Sequence, residues 1–122
     1  MKNILLAEDD PFIRDNLMDL LTELGFNVTV AVNGLEALEK VNICSPHIII
    51  SDVRMPKMDG IKFRKEILKS EKTKKIPFLY ISALNNKDNV LGAHDLGKYD
   101  VIPKPYKIDD IVNLVVKKYG SL

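Results

Sequence analysis

The sequence predicts an α/β fold: five βα units wound into one parallel five-stranded sheet, strand order 2-1-3-4-5, with helices on both faces. Two observations carry this. Short β-type runs alternate with helical patterns along the whole chain, and connections of only a few residues between them imply right-handed crossovers. The run Ile48-Ile49-Ile50 is continuously apolar rather than alternating, as in a strand covered on both faces.

The elements follow in order. "NILLA" (3–7) is a strand. "DPFIRDNLMDLLTELG" (10–25) is a helix with Asp10 as N-cap and Pro11 at the first helical position. Phe12, Ile13, Leu17, Leu20, Leu21 and Leu24 form its apolar stripe, and Gly25 is the stop. "NVTVAV" (27–32) is the second strand and "NGLEALEKVNI" (33–43) the second helix, broken by Ser45-Pro46 before the isoleucine strand. "GIKFRKEILKS" (60–70) turns Ile61, Phe63, Ile67 and Leu68 inward, and "IPFLYISA" (76–83) is the fourth strand. "NKDNVLGAHDLG" (86–97) reads as a fourth helix weakened by Gly92, and "YDVI" (99–102) as a short fifth strand. "KIDDIVNLVVKKYG" (107–120) closes the chain with Ile108, Ile111, Val112, Val115 and Val116 inward.

Composition narrows the function classes. A length of 122 residues suits one domain, expected to span 1–122. Lys+Arg 18 against Asp+Glu 17 leaves no global field for nucleic acid or an anionic membrane. No apolar run approaches a membrane span, and residues 2–7 are too short for a signal-peptide core. The expected location is cytoplasmic, and the single Cys44 reads as a buried small hydrophobe.

In a sheet of this order, residues just past strands 1, 3, 4 and 5 meet at one crevice. They are Glu8-Asp9-Asp10, Asp52, Ser82-Ala83 and Lys104-Pro105. Asp52 ends the isoleucine strand; it is either a site residue or a cap for the loop that follows. Several carboxylates aimed at one point repel, which costs stability unless a cation sits among them or one of them holds a proton. No histidine or cysteine is near, so the expected ion is a hard one with oxygen ligands, Mg²⁺, which keeps waters and leaves room for a phosphoryl oxygen. Lys104 adds a positive charge and Ser82 a hydroxyl.

Four motifs in order, "AEDD", "SDVRMPKMDG", "ISA" and "KP", give the chain a resemblance to the response-regulator receiver domains of two-component signalling, of the chemotaxis-regulator kind and with a flavodoxin-like fold. The resemblance implies that Asp52 is the phospho-accepting aspartate. It also implies that Asp9 ligates Mg²⁺ directly, Glu8 largely through water, and Arg54 through its backbone carbonyl. Ser82 and Lys104 would each contact a phosphoryl oxygen, Ala83 would leave its N–H open to the phosphoryl group, and the Lys104-Pro105 bond would be cis. The implied partners are a sensor histidine kinase or histidine phosphotransfer protein as donor, and a downstream protein on the face of the fourth helix, fifth strand and fifth helix. The only catalysis implied is the domain's own phosphotransfer. Because the chain ends at Leu122, it reads as a stand-alone receiver or one excised from a longer protein.

There are two departures from the family pattern. Val101 stands where an aromatic switch residue is usual; Tyr99, two residues earlier on the same strand face, either substitutes for it or serves the start of the strand. Arg54 and Leu84 occupy the two places that orient attacking water, and leucine cannot do so. The expectation is slow self-dephosphorylation; label lost within seconds, with no phosphatase present, would overturn it. Three alternatives are weaker. A flavin binder would suffer repulsion from "AEDDPF". An Mg²⁺-dependent phosphatase with an Asp nucleophile wants a second acid where Arg54 stands. A phosphorylation-independent pseudo-receiver would have lost an acid, Ser82 or Lys104, and this sequence keeps them all.

Overall fold

The computed structural model describes residues 2–82, 100–103 and 107–119. The expected fourth helix at 86–97, Ala83, Leu84, Tyr99, Lys104 and Pro105 lie outside them. Five strands, β1 (Asn3–Ala7), β2 (Asn27–Ala31), β3 (Ile48–Asp52), β4 (Phe78–Ser82) and β5 (Asp100–Pro103), form one parallel sheet in the order β2-β1-β3-β4-β5. The described helices are α1 (Pro11–Glu23), α2 (Gly34–Cys44), α3 (Gly60–Leu68) and the C-terminal α4 (Ile108–Tyr119).

The period-2 geometry of the strands builds two cores from the same backbone. Leu5, Ile49, Phe78 and Tyr80 face Ala37 and Val41 of α2 and Phe63 and Ile67 of α3. Their neighbours Ile4, Leu6, Ile48, Ile50, Leu79 and Ile81 face Leu17 and Leu21 of α1 and Ile111 and Val115 of α4. All five residues of β3 are buried, which is why this strand carries no polar alternation.

Each of the first three helices starts at an Asx cap: Asp10 Oδ1 accepts from the Phe12 and Ile13 N–H groups, Asn33 Oδ1 from Glu36 N–H, and Asp59 Oδ1 from Lys62 N–H. The expected stripes need correction at their margins. Phe12 is 73% exposed, Leu24 46% and Val116 41%. At about 100° per residue, Phe12 lies about 140° round the helix from Leu17, and Val116 the same from Ile111, so neither can share the buried face. Leu24 is instead the C-cap, past the last helical turn, and Phe26 fills the core beyond it. Leu17→Ala is therefore expected to cost about 3 kcal/mol, whereas Phe12→Ala stays within about 0.5 kcal/mol of the parent in urea unfolding. Equal losses would contradict this packing.

Arg64 was not anticipated inside. It is 2% exposed, with its guanidinium carbon 5.7 Å from the Phe78 ring centre and 6.0 Å from that of Tyr80. Stacking on two aromatic faces lets a cation sit in an otherwise apolar layer. Cys44 is half-buried rather than buried, and packs on the same core. Burial raises its thiol pKa above the ordinary value, against smaller opposing effects led by a hydrogen bond with Thr29. At neutral pH its thiolate fraction is below that of a free thiol, so alkylation by iodoacetamide should run slower than for a model thiol. A rate equal to the model's at pH 7 would refute it.

Candidate functional site

Parallel pairing brings the carboxyl ends of β1 and β3 side by side, with Ala7 opposite Ser51. The next residue of each chain segment therefore carries its side chain over the same end of the sheet. Glu8, Asp9 and Asp52 converge there, with one carboxylate oxygen from each lying within 4.8 Å of the others. Glu8 is fully buried and Asp52 is 3% exposed, while Asp9 is exposed. Two of the three carboxyl groups are thus out of water and the third lies at the surface.

The three consecutive acids of the first loop divide their work. Asp10 turns away to cap α1, while its own N–H donates to Glu8 Oε2 at 3.1 Å. The backbone of Glu8 is anchored at both ends: its N–H donates to Ala31 O at 3.0 Å, and its carbonyl accepts from the Arg14 guanidinium at 3.1 Å. Asp52 is placed for both readings considered for it. It joins the cluster, and its Oδ1 accepts from Arg54 N–H at 3.3 Å, holding the start of the next loop.

That loop is pinned along its length. Val53 N–H donates to Ile81 O at 3.2 Å, Gly60 N–H to Val53 O at 2.8 Å, and Gly34 N–H at the start of α2 to Met58 O at 2.9 Å. Both glycines are there for close approach. A Cβ on Gly60 would stand 2.1 Å from Asp52 O, and one on Gly34 2.4 Å from Met58 O. Lys57, at φ 68°, takes the left-handed conformation that closes the turn. The closeness of Gly60 to the Asp52 carbonyl had no local signal in the sequence.

Asp52 lies opposite Ile81 in the β3–β4 register, and Ser82 opposite Pro103 in β4–β5. Ser82 is therefore the last residue of β4 at the same end of the sheet, and Pro103 immediately precedes Lys104 in the chain. Val101 lies in β5, opposite Tyr80. Ala83, Lys104 and Pro105 are outside the described residues, so from the expected set the structure brings together Glu8, Asp9 and Asp52, with the Arg54 N–H beside Asp52.

The cluster suits a hard divalent cation. One carboxylate oxygen from each of three residues lies within 4.8 Å of the others, so Glu8, Asp9 and Asp52 could share one ion between them. The donor set is all oxygen, with no histidine or cysteine in it, as such an ion prefers.

The response regulator receiver domain family model matches residues 4–116. The chain belongs to this family. It is 36% identical over 117 residues to the chemotaxis protein CheY of Thermotoga maritima, covering 95% of this chain and 96% of that protein. It is also 34% identical over 112 residues to the DNA-binding transcriptional regulator NtrC of Escherichia coli, covering 92% of this receiver and 24% of NtrC. The chain spans 54% of the Porphyra purpurea regulator ycf29. Among solved structures, the receiver domain of a Pseudomonas aeruginosa sensor histidine kinase, described with a magnesium ion in its active-site cleft, superposes with a TM-score of 0.85 at 26% identity, over 98% of both chains. As a receiver domain of a two-component system, this protein is a signalling module with an acidic cluster typical of the family's site. No helix among the described residues is long and apolar enough to cross a membrane.

Proposed function

We propose that Asp52 accepts a phosphoryl group from a phosphohistidine donor, and that the resulting acyl phosphate changes which proteins the domain binds. The observation that carries this is the convergence of Glu8, Asp9 and Asp52 at the end of β1 and β3. A carboxylate oxygen of Asp52 attacks phosphorus, the P–N bond to the donor imidazole breaks, and the nitrogen keeps the electron pair and takes a proton from water. Glu8, Asp9, Asp52 and the Arg54 carbonyl would hold Mg²⁺, which when bound neutralises charge on the phosphoryl oxygens. Ser82 and Lys104 contact those oxygens in this reading, and Ala83 leaves its N–H open to them. The Arg54 N–H already orients Asp52.

The donor is a sensor histidine kinase or a histidine phosphotransfer protein. The domain works in the cytoplasm as a single receiver over 1–122, with no reaction beyond its own phosphorylation and dephosphorylation. Its output is a protein contact through the face that includes β5 and α4, where Val116 supplies an exposed apolar side chain. Leu84 and Arg54 make the acyl phosphate long-lived. With Val101 in the place of the usual aromatic, the switch relies on Ser82, Pro105 and the adjoining loops.

The test is intact-mass spectrometry after incubation with acetyl phosphate. A gain of one phosphoryl group that requires Mg²⁺ and disappears with a chelator is expected. No gain under either condition would refute the reading and favour a phosphorylation-independent interaction module.

A further inference from the structure

The near balance of charge over the whole chain conceals a separation by face. Between residues 62 and 75, Lys62, Lys65, Lys69, Lys72, Lys74 and Lys75 are all exposed, against two carboxylates, Glu66 and Glu71. At about 100° per residue, Lys62, Lys65 and Lys69 share a stripe about 60° wide on α3, on the side away from the buried Phe63 and Ile67. Glu66 offsets two of these, at 3.5 Å from Lys62 and 2.8 Å from Lys69, and Glu71 lies 2.8 Å from Lys74. Among the described residues, Lys65, Lys72 and Lys75 are in no ion pair.

Helix α1 carries the opposite sign. Asp15, Asp19 and Glu23 are exposed at successive i, i+4 places, and none is in an ion pair among the described residues. Like charges at that spacing weaken a helix. Arg14, the one cation of α1, does not relieve them, because its guanidinium donates to the Glu8 and Asp9 carbonyls at 3.1 and 3.5 Å. At 1.5 Å per residue the acidic stripe runs about 12 Å, and Lys62 to Lys69 about 10.5 Å. The two stripes therefore match in length as well as in sign. They cannot meet within one molecule, since α1 packs on one face of the sheet and α3 on the other.

We infer that copies of this chain associate head to tail, with the acidic α1 stripe of one copy against the basic α3 stripe of the next. A second copy is the occupant argued for because both halves of the match stand on one chain while the sheet holds them apart. The contact is heterologous: each added copy leaves one free stripe at either end, so the assembly grows as an open chain rather than stopping at a two-fold dimer. Exposed ion pairs contribute little individually and are screened by salt, so the association is weak and belongs to low ionic strength and crowded protein.

The test is sedimentation equilibrium on the intact chain at about 20 mM and about 500 mM salt, where the screening length falls severalfold. Wild type is compared with Lys65→Gln/Lys72→Gln, Asp15→Asn/Asp19→Asn and Lys65→Arg/Lys72→Arg, each shown to be folded by circular dichroism. At low salt wild type should associate beyond a dimer, and high salt should return it to monomer. Each neutralised variant should self-associate about tenfold more weakly, the scale of two exposed charge pairs. The arginine variant should match wild type. An equimolar mixture of the two neutralised variants should form a one-to-one complex and go no further, because the first keeps an intact acidic stripe and the second an intact basic one. The inference fails if wild type stays monomeric at low salt, if either neutralised variant associates as wild type does, or if the mixture does not pair. It also fails if wild type stays monomeric while a poly-glutamate peptide or a short single-stranded DNA binds it through Lys65 and Lys72, since the basic stripe would then serve a different polyanion.

Discussion

Asp52→Asn will abolish the phosphoryl adduct formed with acetyl phosphate and Mg²⁺, lowering its rate by about 10³-fold or more, or about 4 kcal/mol in the barrier. The amide keeps the shape of the carboxylate but lacks the anionic oxygen that attacks phosphorus. Its Oδ1 still accepts from Arg54 N–H, where the wild-type distance is 3.3 Å, so the loop after β3 keeps its first anchor. The fold is therefore retained, and circular dichroism should overlay with that of the parent. Loss of the adduct in a folded protein assigns the acceptor. Persistence of the adduct at the parental rate would place the acceptor elsewhere, and Asp9 is then the next carboxylate to replace, being the exposed member of the cluster.

Gly60→Ala is expected to harm stability and phosphoryl acceptance together. The added methyl would stand 2.1 Å from Asp52 O and 3.0 Å from Ser51 Oγ, well inside the 3.4 Å of ordinary contact. Neither neighbour can give way cheaply. The Asp52 carbonyl accepts from Ser51 Oγ at 2.8 Å, and the Gly60 N–H is tied to Val53 O at 2.8 Å. Either the first turn of α3 lifts off the sheet or the end of β3 moves. We expect a loss of about 3 kcal/mol in urea unfolding. A displacement of Asp52 of the order of 1 Å would slow adduct formation by about 10²-fold. Parental stability would show that the two backbones separate freely; parental rate with lowered stability would show that α3 yields and Asp52 does not.

The candidate site was legible in the sequence because its residues announce themselves locally. Asp52 follows three isoleucines, and the acids at 8–10 follow "NILLA", so their types and places at strand ends needed no contact information. The division of the three acids was legible too, with Asp10 read as the cap of α1 and Glu8 and Asp9 as the pair beside Asp52; the complete burial of Glu8 was not. Glu8 is buried beneath the Asp10 N–H, a placement set by where the chain turns. Arg64 went unread for a related reason. Its sequence neighbours Lys62 and Lys65 make it look like part of a solvated charged face, and only the approach of Phe78 and Tyr80 from β4 encloses it.

By itself the sequence determined the alternation of elements, the sheet's parallel winding and the chemistry of the strand ends, because each depends on patterns only a few residues long. The edge of β2 shows the other side. Nothing in "NVTVA" or "GLEALEKVNIC" states that Lys40 and Glu36 reach Val30 and Val32, since those bonds exist only after α2 has packed back across β2. The glycine contacts at Met58 and Asp52 likewise arise where segments distant in sequence meet. Tertiary structure decided these points because side-chain reach and backbone approach depend on the separation of packed elements, a quantity that local propensity does not encode.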